Sequence, residues 1–400
     1  MKMTSRERVM AALHHEETER LPIDFGSARS TGINAIAYHG LKKYLGIHKP
    51  TYVYDVKQLL AMPDREVLER FGVDVIQLPR LAPSLGLSID AWKEGRLPDG
   101  SECLVPAAFD PVLLDAGEGF FNAQGKLTSL RPKGGLYFDE VYSPLESVES
   151  TEDIDAFEMP RMTDAELDFA KRKAKELFKT TDFAISAATS FSLFEKGAKD
   201  FGYENFLVNL HTEPELVSYY LDRLTEAYLG MFDRYLDAVG DYIQIVQTND
   251  DFGMQTGGLI SRQMYREFFM PRHARIIACI KRKRKDLFVF LHSCGSIYDM
   301  MGDMIEAGFD AFNPVQTNAA HMDPVRLKRE FGRKCTFWGG GCCTQTTMTV
   351  GSVSDVVDEA RRMINIFAPQ GGFVFNQVHN IQPGVSAEKV VALYDTALQQ

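Results

Sequence analysis

The feature that most constrains this chain is an alternation of short apolar runs with helix-length amphipathic stretches, repeated along most of its 400 residues. The apolar runs are Leu21–Phe25, Val73–Leu78, Phe183–Ala188, Asp241–Val246, Leu287–Leu291, Asp310–Val315, Cys335–Trp338 and Gly372–Phe375. They are continuous rather than alternating, the pattern of parallel strands covered on both faces. Between them lie Pro214–Val239, Ser261–Lys285, Ile297–Ala307, Pro324–Phe331 and Val353–Phe367, each apolar at helical spacing. Thr212-Glu213-Pro214-Glu215 places proline and acids at a helix entry, and Ser386-Ala387-Glu388 opens the last helix. Eight strands alternating with helices predict an α/β fold, a (β/α)8 TIM-type barrel, with a doubly wound open sheet as the alternative.

One stretch breaks the rhythm. Leu97 to Val148 carries turn signals at Pro98-Asp99-Gly100, Gly117-Glu118-Gly119 and Lys133-Gly134-Gly135. Residues 1–400 therefore read as a single barrel domain with an inserted β-rich flap at about 97–148.

Charge narrows the partners. With 44 basic and 55 acidic side chains the formal net charge is −11, which disfavours non-specific binding to nucleic acid or an anionic membrane. Lys281–Lys285 is basic, but it lies late in a helical stretch, where cations suit the helix dipole. No run approaches the about 18 apolar residues of a spanning helix. Met1–Glu17 is charged and amphipathic, unlike a secretory leader, and six cysteines are too few for a disulfide scaffold. A reducing cytoplasm is the expected compartment, and cysteine here means packing, metal or thiol chemistry.

In a barrel the C-terminal strand ends carry the chemistry. The polar residues there are Asp24, Ser27 and Arg29; Gln77 and Arg80; Thr189 and Ser190; Asn249, Asp250, Asp251 and Gln255; His292 and Cys294; Asn313 and Gln316; and His379 with Asn380. Arg29, Gln77, Asn249, Gln255, Asn313 and Gln316 are the expected substrate-binding set.

His292-Ser293-Cys294 directly follows an apolar strand, and residues two apart on a strand point the same way. An imidazole and a thiolate suit zinc, but two ligands do not hold a metal. The third must come from another strand end, with Cys342, Cys343 and His379 as candidates. Asp250 and Asp251 are adjacent, so both cannot face inward from a regular strand. One is expected to act in catalysis or bind a cation, the other to cap a helix or pair with arginine.

These segments resemble the uroporphyrinogen decarboxylase superfamily. The resemblance rests on Ser5–Leu13 with Arg20-Leu21-Pro22, Phe71-Gly72-Val73-Asp74, Asp250–Gln255, Leu259-Ile260-Ser261, His292-Ser293-Cys294-Gly295 and Asn313-Pro314-Val315-Gln316. Trp338–Gly341, Thr344-Gln345 and His379-Asn380-Ile381-Gln382 extend it almost to the C-terminus. It implies a barrel, in agreement with the strand count. True decarboxylases carry an M-R-Q-A-G-R loop after the first strand and an aspartate after the second. Here those places read Asp24-Phe25-Gly26-Ser27-Ala28-Arg29 and Leu78-Pro79-Arg80-Leu81, with one arginine kept and no acid at the second.

The H-x-C signature is instead similar to the corrinoid-linked zinc methyltransferases of the superfamily. That resemblance implies Zn²⁺ held by His292, Cys294 and His379, the nearest match to a third ligand. It also implies a corrinoid carried on a partner protein, because no D-x-H-x-x-G cobalamin signature is present, and barrels that can pair as homodimers. The expected activity is methyl transfer between that corrinoid protein and a thiol, folate or methyl ether. A decarboxylase leaning on Arg29, Asp250 and His379, and a non-catalytic tetrapyrrole- or corrinoid-binding barrel, are the alternatives.

Overall fold

The computed structural model describes residues 3–189 and 191–400, so the expected mouth residue Ser190 lies outside the described residues. Seven parallel strands run side by side: Val75–Leu78, Ala184–Ala188, Ile245–Asn249, Phe288–His292, Ala311–Asn313, Thr336–Trp338 and Phe373–Val374. The first apolar run closes the ring. Ile23 bridges Phe375 and Asp24 bridges Val75, so residues 23–24 join the two edges of the sheet. This is a TIM-type barrel.

Strand Ile245–Asn249 lies later than its expected range. The helix Pro214–Val239 ends in a turn through Asp241 and Tyr242, with Tyr242 N–H donating to Val239 O at 2.9 Å. The stretch 261–285 is not one regular helix either. Arg262–Met264 leads into a π turn at Tyr265–Phe269 before Met270–Lys283 begins. Pro271 has no N–H for the regular ladder, which favours the wider turn there.

The barrel interior is a packed core. Trp338 and Phe290 meet edge to face at 5.2 Å, with Ala184 and Ala311 leaving them room. The helix Ser5–Leu13 pushes Val9 and Leu13 into the same cluster and so stops the N-terminal end of the barrel. Beside it, fully buried Asp74 accepts from Arg20 at 2.7 and 2.8 Å, from Arg8, and from Ile23 N–H at 3.0 Å. With that end plugged, open space is left to the C-terminal strand ends.

Between Val75–Leu78 and the helix Asp164–Thr180 the chain makes two antiparallel sheets. A hairpin pairs Trp92–Arg96 with Glu102–Pro106, and four strands follow from Val112–Leu114 to Asp139–Glu140. Its first arm precedes residue 97, because Pro98-Asp99-Gly100 is the hairpin's loop rather than its start.

Candidate metal centre and cavity

Parallel register sets Asn249 beside His292 and His292 beside Asn313. Matched positions on neighbouring strands share a face, so His292 and Asn313 meet. His292 Nδ1 lies 2.6 Å from Asn313 Oδ1. Asn313 is itself held, donating from Nδ2 to Trp338 O at 2.9 Å and accepting from Ser30 Oγ at 2.7 Å. An amide oxygen only accepts, so Nδ1 carries a proton toward Asn313 and Nε2 is the nitrogen left to face the other way. That Nε2 lies 3.3 Å from Cys294 Sγ.

Cys294 sits in a turn that packs against the Asp250–Gly253 loop. Gly295 has φ +76°, and a Cβ there would stand 2.5 Å from the Gly253 carbonyl carbon. A Cβ on Gly253 would in turn stand 2.5 Å from Cys294 O. Two glycines facing each other let the loops touch backbone to backbone. The contact brings Asp251 Oδ1 to 2.8 Å from the Cys294 N–H, which donates to it.

His379 follows the last barrel strand and turns its Nδ1 to Asn380 Oδ1 at 2.7 Å. Donor atoms of His292, Cys294 and His379 all lie within 4.8 Å of one another. Burial, then the neighbouring His292, pulls the His379 pKa down to about 4, which keeps its imidazole neutral and able to ligate. Burial pushes the Cys294 thiol well up, and the carboxylates of Asp251 and Glu195 push it further. Two imidazoles and a thiol among carboxylates fit a divalent cation, whose charge favours the thiolate that the protein alone disfavours. Cys342 and Cys343 stand elsewhere. Cys342 Sγ lies 3.5 Å from Glu359 Oε2, and Cys343 N–H donates to Glu359 Oε1 at 3.2 Å.

His292, His379 and Asp251 line a cavity of about 1400 Å³ at the open end of the barrel. Arg29, Gln77 and Asn249 also line it, where the sequence placed them. Gln255, Asn313 and Gln316 do not, and they need correction as substrate-binding residues. Asn313 is buried against His292. Gln316 accepts the Gly295 N–H at 2.9 Å and donates to Gln255 Oε1 at 2.8 Å, while Gln255 donates to Asn318 O. These amides brace the loops around the site.

Asp250 needs a larger correction. It is 1% exposed and accepts the N–H groups of Leu193, Phe194 and Glu195 at 2.9, 3.1 and 2.9 Å. It therefore caps the helix Phe194–Phe201, and His273 Nε2 lies 3.2 Å from its Oδ2, the oxygen that also accepts the Leu193 and Phe194 N–H groups. Of the two adjacent acids, Asp251 alone reaches the cavity.

Glu195 escaped the sequence reading. It lines the cavity and accepts from Asn249 Nδ2. Burial, followed by the charges of Asp251 and Asp250, pushes its pKa up to about 8. Nothing in Ser192-Leu193-Phe194-Glu195 marks it, because its neighbours arrive from another strand.

The profile of the uroporphyrinogen decarboxylase (URO-D) family matches residues 128–399. The chain belongs to the uroporphyrinogen decarboxylase family. This is a family of enzymes, and its members match here at low identity. The uroporphyrinogen decarboxylase of Thioalkalivibrio sulfidiphilus is 26% identical over 190 residues, 46% of this chain and 49% of that one. That of Saccharophagus degradans is 22% identical over 267 residues, 64% of this chain and 70% of that one. The chain thus spans about half the length of the first relative. Among solved structures, a methyltransferase from Methanosarcina mazei shares the fold with a TM-score of 0.61 and 18% identity, covering 100% of this chain and 99% of that one. Among the described residues, no helix is long and apolar enough to cross a membrane.

Proposed function

We propose that this family member is a zinc-dependent methyltransferase, moving a methyl group between a corrinoid on a partner protein and a thiol, folate or methyl-ether small molecule. The observation that carries the reading is the convergence of His292, Cys294 and His379 beside a large cavity. Three protein ligands leave one position open, the arrangement of catalytic rather than structural zinc. When bound, zinc lowers the pKa of a coordinated thiol or polarises an ether oxygen.

The chain's own residues orient and protonate. Asn313 keeps His292 in its Nδ1–H tautomer, and Asp251 holds the Cys294 backbone N–H. Glu195 is positioned to hold a proton at the cavity wall near neutral pH. At about 1400 Å³ the cavity exceeds the roughly 300–1,000 Å³ of ordinary small-molecule sites, room for a substrate and the face of a larger cofactor.

The names of the relatives favour a decarboxylase as the second reading. It leaned on Arg29, Asp250 and His379, and Asp250 is committed to capping a helix. Zinc per chain decides between them, measured by elemental mass spectrometry on protein purified without added metal or chelator. A value near one, with demethylation of a methylated corrinoid protein followed by its visible spectrum, supports the methyltransferase. A value near zero that zinc loading does not change overturns it.

A further inference from the structure

Ile245, Gln247 and Asn249 alternate along one strand and share its inward face. Ile245 joins the packed core, while Gln247 and Asn249 line the cavity above it. Register sets Gln247 between Ala188 and Phe290, and Asn249 beside His292. At the usual rise of a strand, Gln247 stands about 6–7 Å below the level of His292, toward the barrel core.

Its side chain is 6% exposed and is held by one end of its amide. Nε2 donates to Ser27 O at 2.5 Å and to Ser186 Oγ at 2.6 Å, which uses both amide hydrogens. A backbone carbonyl only accepts, so Ser27 O keeps the amide from turning over. Oε1 has no hydrogen-bond partner among the described residues and opens onto the cavity that the residue lines. A carbonyl oxygen this buried is costly to leave unmet once water is displaced, so an entering ligand must supply a donor.

The surroundings narrow that donor. Phe25, Ala28, Ala188 and Phe290 border the same space and offer it no polar side chain. Gln77 faces inward beside Ser186, its register partner, and its amide has no bonded partner among the described residues, so it can turn either group to a ligand. Glu195 meets the strand one step higher, through Asn249 Nδ2.

We infer that Gln247 selects the substrate of this cavity, its Oε1 accepting a neutral hydroxyl at the floor and rejecting the same group once the oxygen is methylated. The hydroxyl hydrogen goes to Gln247, and the oxygen keeps a lone pair for Gln77 Nε2. An ammonium group gains more beside Glu195 and Asp251, because Gln247 is an uncharged amide held by uncharged partners. The inference rests on the reading above in taking this cavity as the small-molecule site.

The test titrates chelator-treated full-length protein with phenol, anisole and benzylamine and reads the heat of binding, so that zinc plays no part. Phenol is expected to bind at least about tenfold more tightly than anisole, because a site built around a substrate hydroxyl rejects the analogue that cannot donate. Gln247→Leu should abolish that preference, with phenol weakened about tenfold or more and anisole unchanged. A purely structural role would weaken both alike. Ser186→Ala keeps the Ser27 anchor and should narrow the preference without abolishing it.

Equal binding of phenol and anisole overturns the inference, and so does a preference that Gln247→Leu leaves intact. Benzylamine that outbinds phenol and weakens in Gln247→Leu overturns the hydroxyl assignment. Should Gln247→Leu fail to fold, the native ratio and Ser186→Ala decide. A phenol preference in a chain that never holds zinc would sustain this inference while the methyltransferase reading falls, and zinc without the preference would do the reverse.

Discussion

Asn313 Oδ1 stands 2.6 Å from His292 Nδ1, and that one contact sets which imidazole nitrogen faces Cys294 and His379. Asn313→Ala frees the ring to turn and to change tautomer. Zinc affinity is expected to fall about 10- to 100-fold, the usual effect of losing the group behind a ligating histidine. Competition with a chromogenic chelator measures it. The variant should also lose about 1–3 kcal/mol of stability, because Ser30 Oγ and Trp338 O lose a buried partner. Unchanged affinity would remove Asn313 from the metal site.

The cysteines separate cleanly. Cys294→Ser and His379→Ala should each abolish stoichiometric zinc, since their donor atoms belong to the cluster around His292. Cys342→Ser and Cys343→Ser should leave zinc content at its native value, because those residues sit against Glu359. Loss of zinc in either of the latter two would contradict the assignment of the third ligand.

Adjacent acids should behave in opposite ways. Asp250→Ala strips three N–H groups of a buried acceptor and is expected to destabilise the fold by about 2–4 kcal/mol. Asp251→Ala, at a partly exposed cavity wall, should change stability by about 1 kcal/mol or less while impairing turnover. Chemical denaturation of both variants, alongside activity, checks the division.

Asp24 gives a pH signature. It is wholly buried and accepts from Ser27 and from Trp338 Nε1, yet burial outweighs these bonds and raises its pKa from 3.8 to about 6. Between those values the folded protein holds a proton that the unfolded chain has released. Stability therefore falls as pH rises through that window, by at most about 3 kcal/mol from this group, and is flat in this term above it. Denaturant midpoints from pH 4 to 7, compared with Asp24→Asn, isolate the contribution. Parallel curves for the two proteins would refute it.

At the closed end, Asp74→Ala leaves the buried guanidinium of Arg8 and the partly buried one of Arg20 without their shared carboxylate. A loss of about 3–5 kcal/mol is expected. Melting of the variant near the native temperature would count against it.

Much of this was readable in the chain. Continuous apolar runs separated by helical stretches specify buried parallel strands, and each of the eight runs overlaps a strand or bridge of the barrel wall, the run Asp241–Val246 only at its last two residues. His292-Ser293-Cys294 was readable because period-two geometry is local. Glu195 was not, since its raised pKa comes from acids on another strand end. Gln255 and Gln316 were misplaced for a related reason. Sitting after a strand puts a side chain at the mouth, but loop packing decides whether it turns inward or braces a neighbouring turn.

By itself the sequence determined the repeating element type and a His-x-Cys pair at the end of one strand, both consequences of short-range periodicity. Only the tertiary structure decided that His379 joins that pair and the adjacent cysteines do not, that Asp251 faces the cavity and Asp250 caps a helix, and that Asn313 orients His292. Each of those outcomes depends on which strand ends barrel closure brings together. Register and loop packing set that, over separations that no local pattern spans.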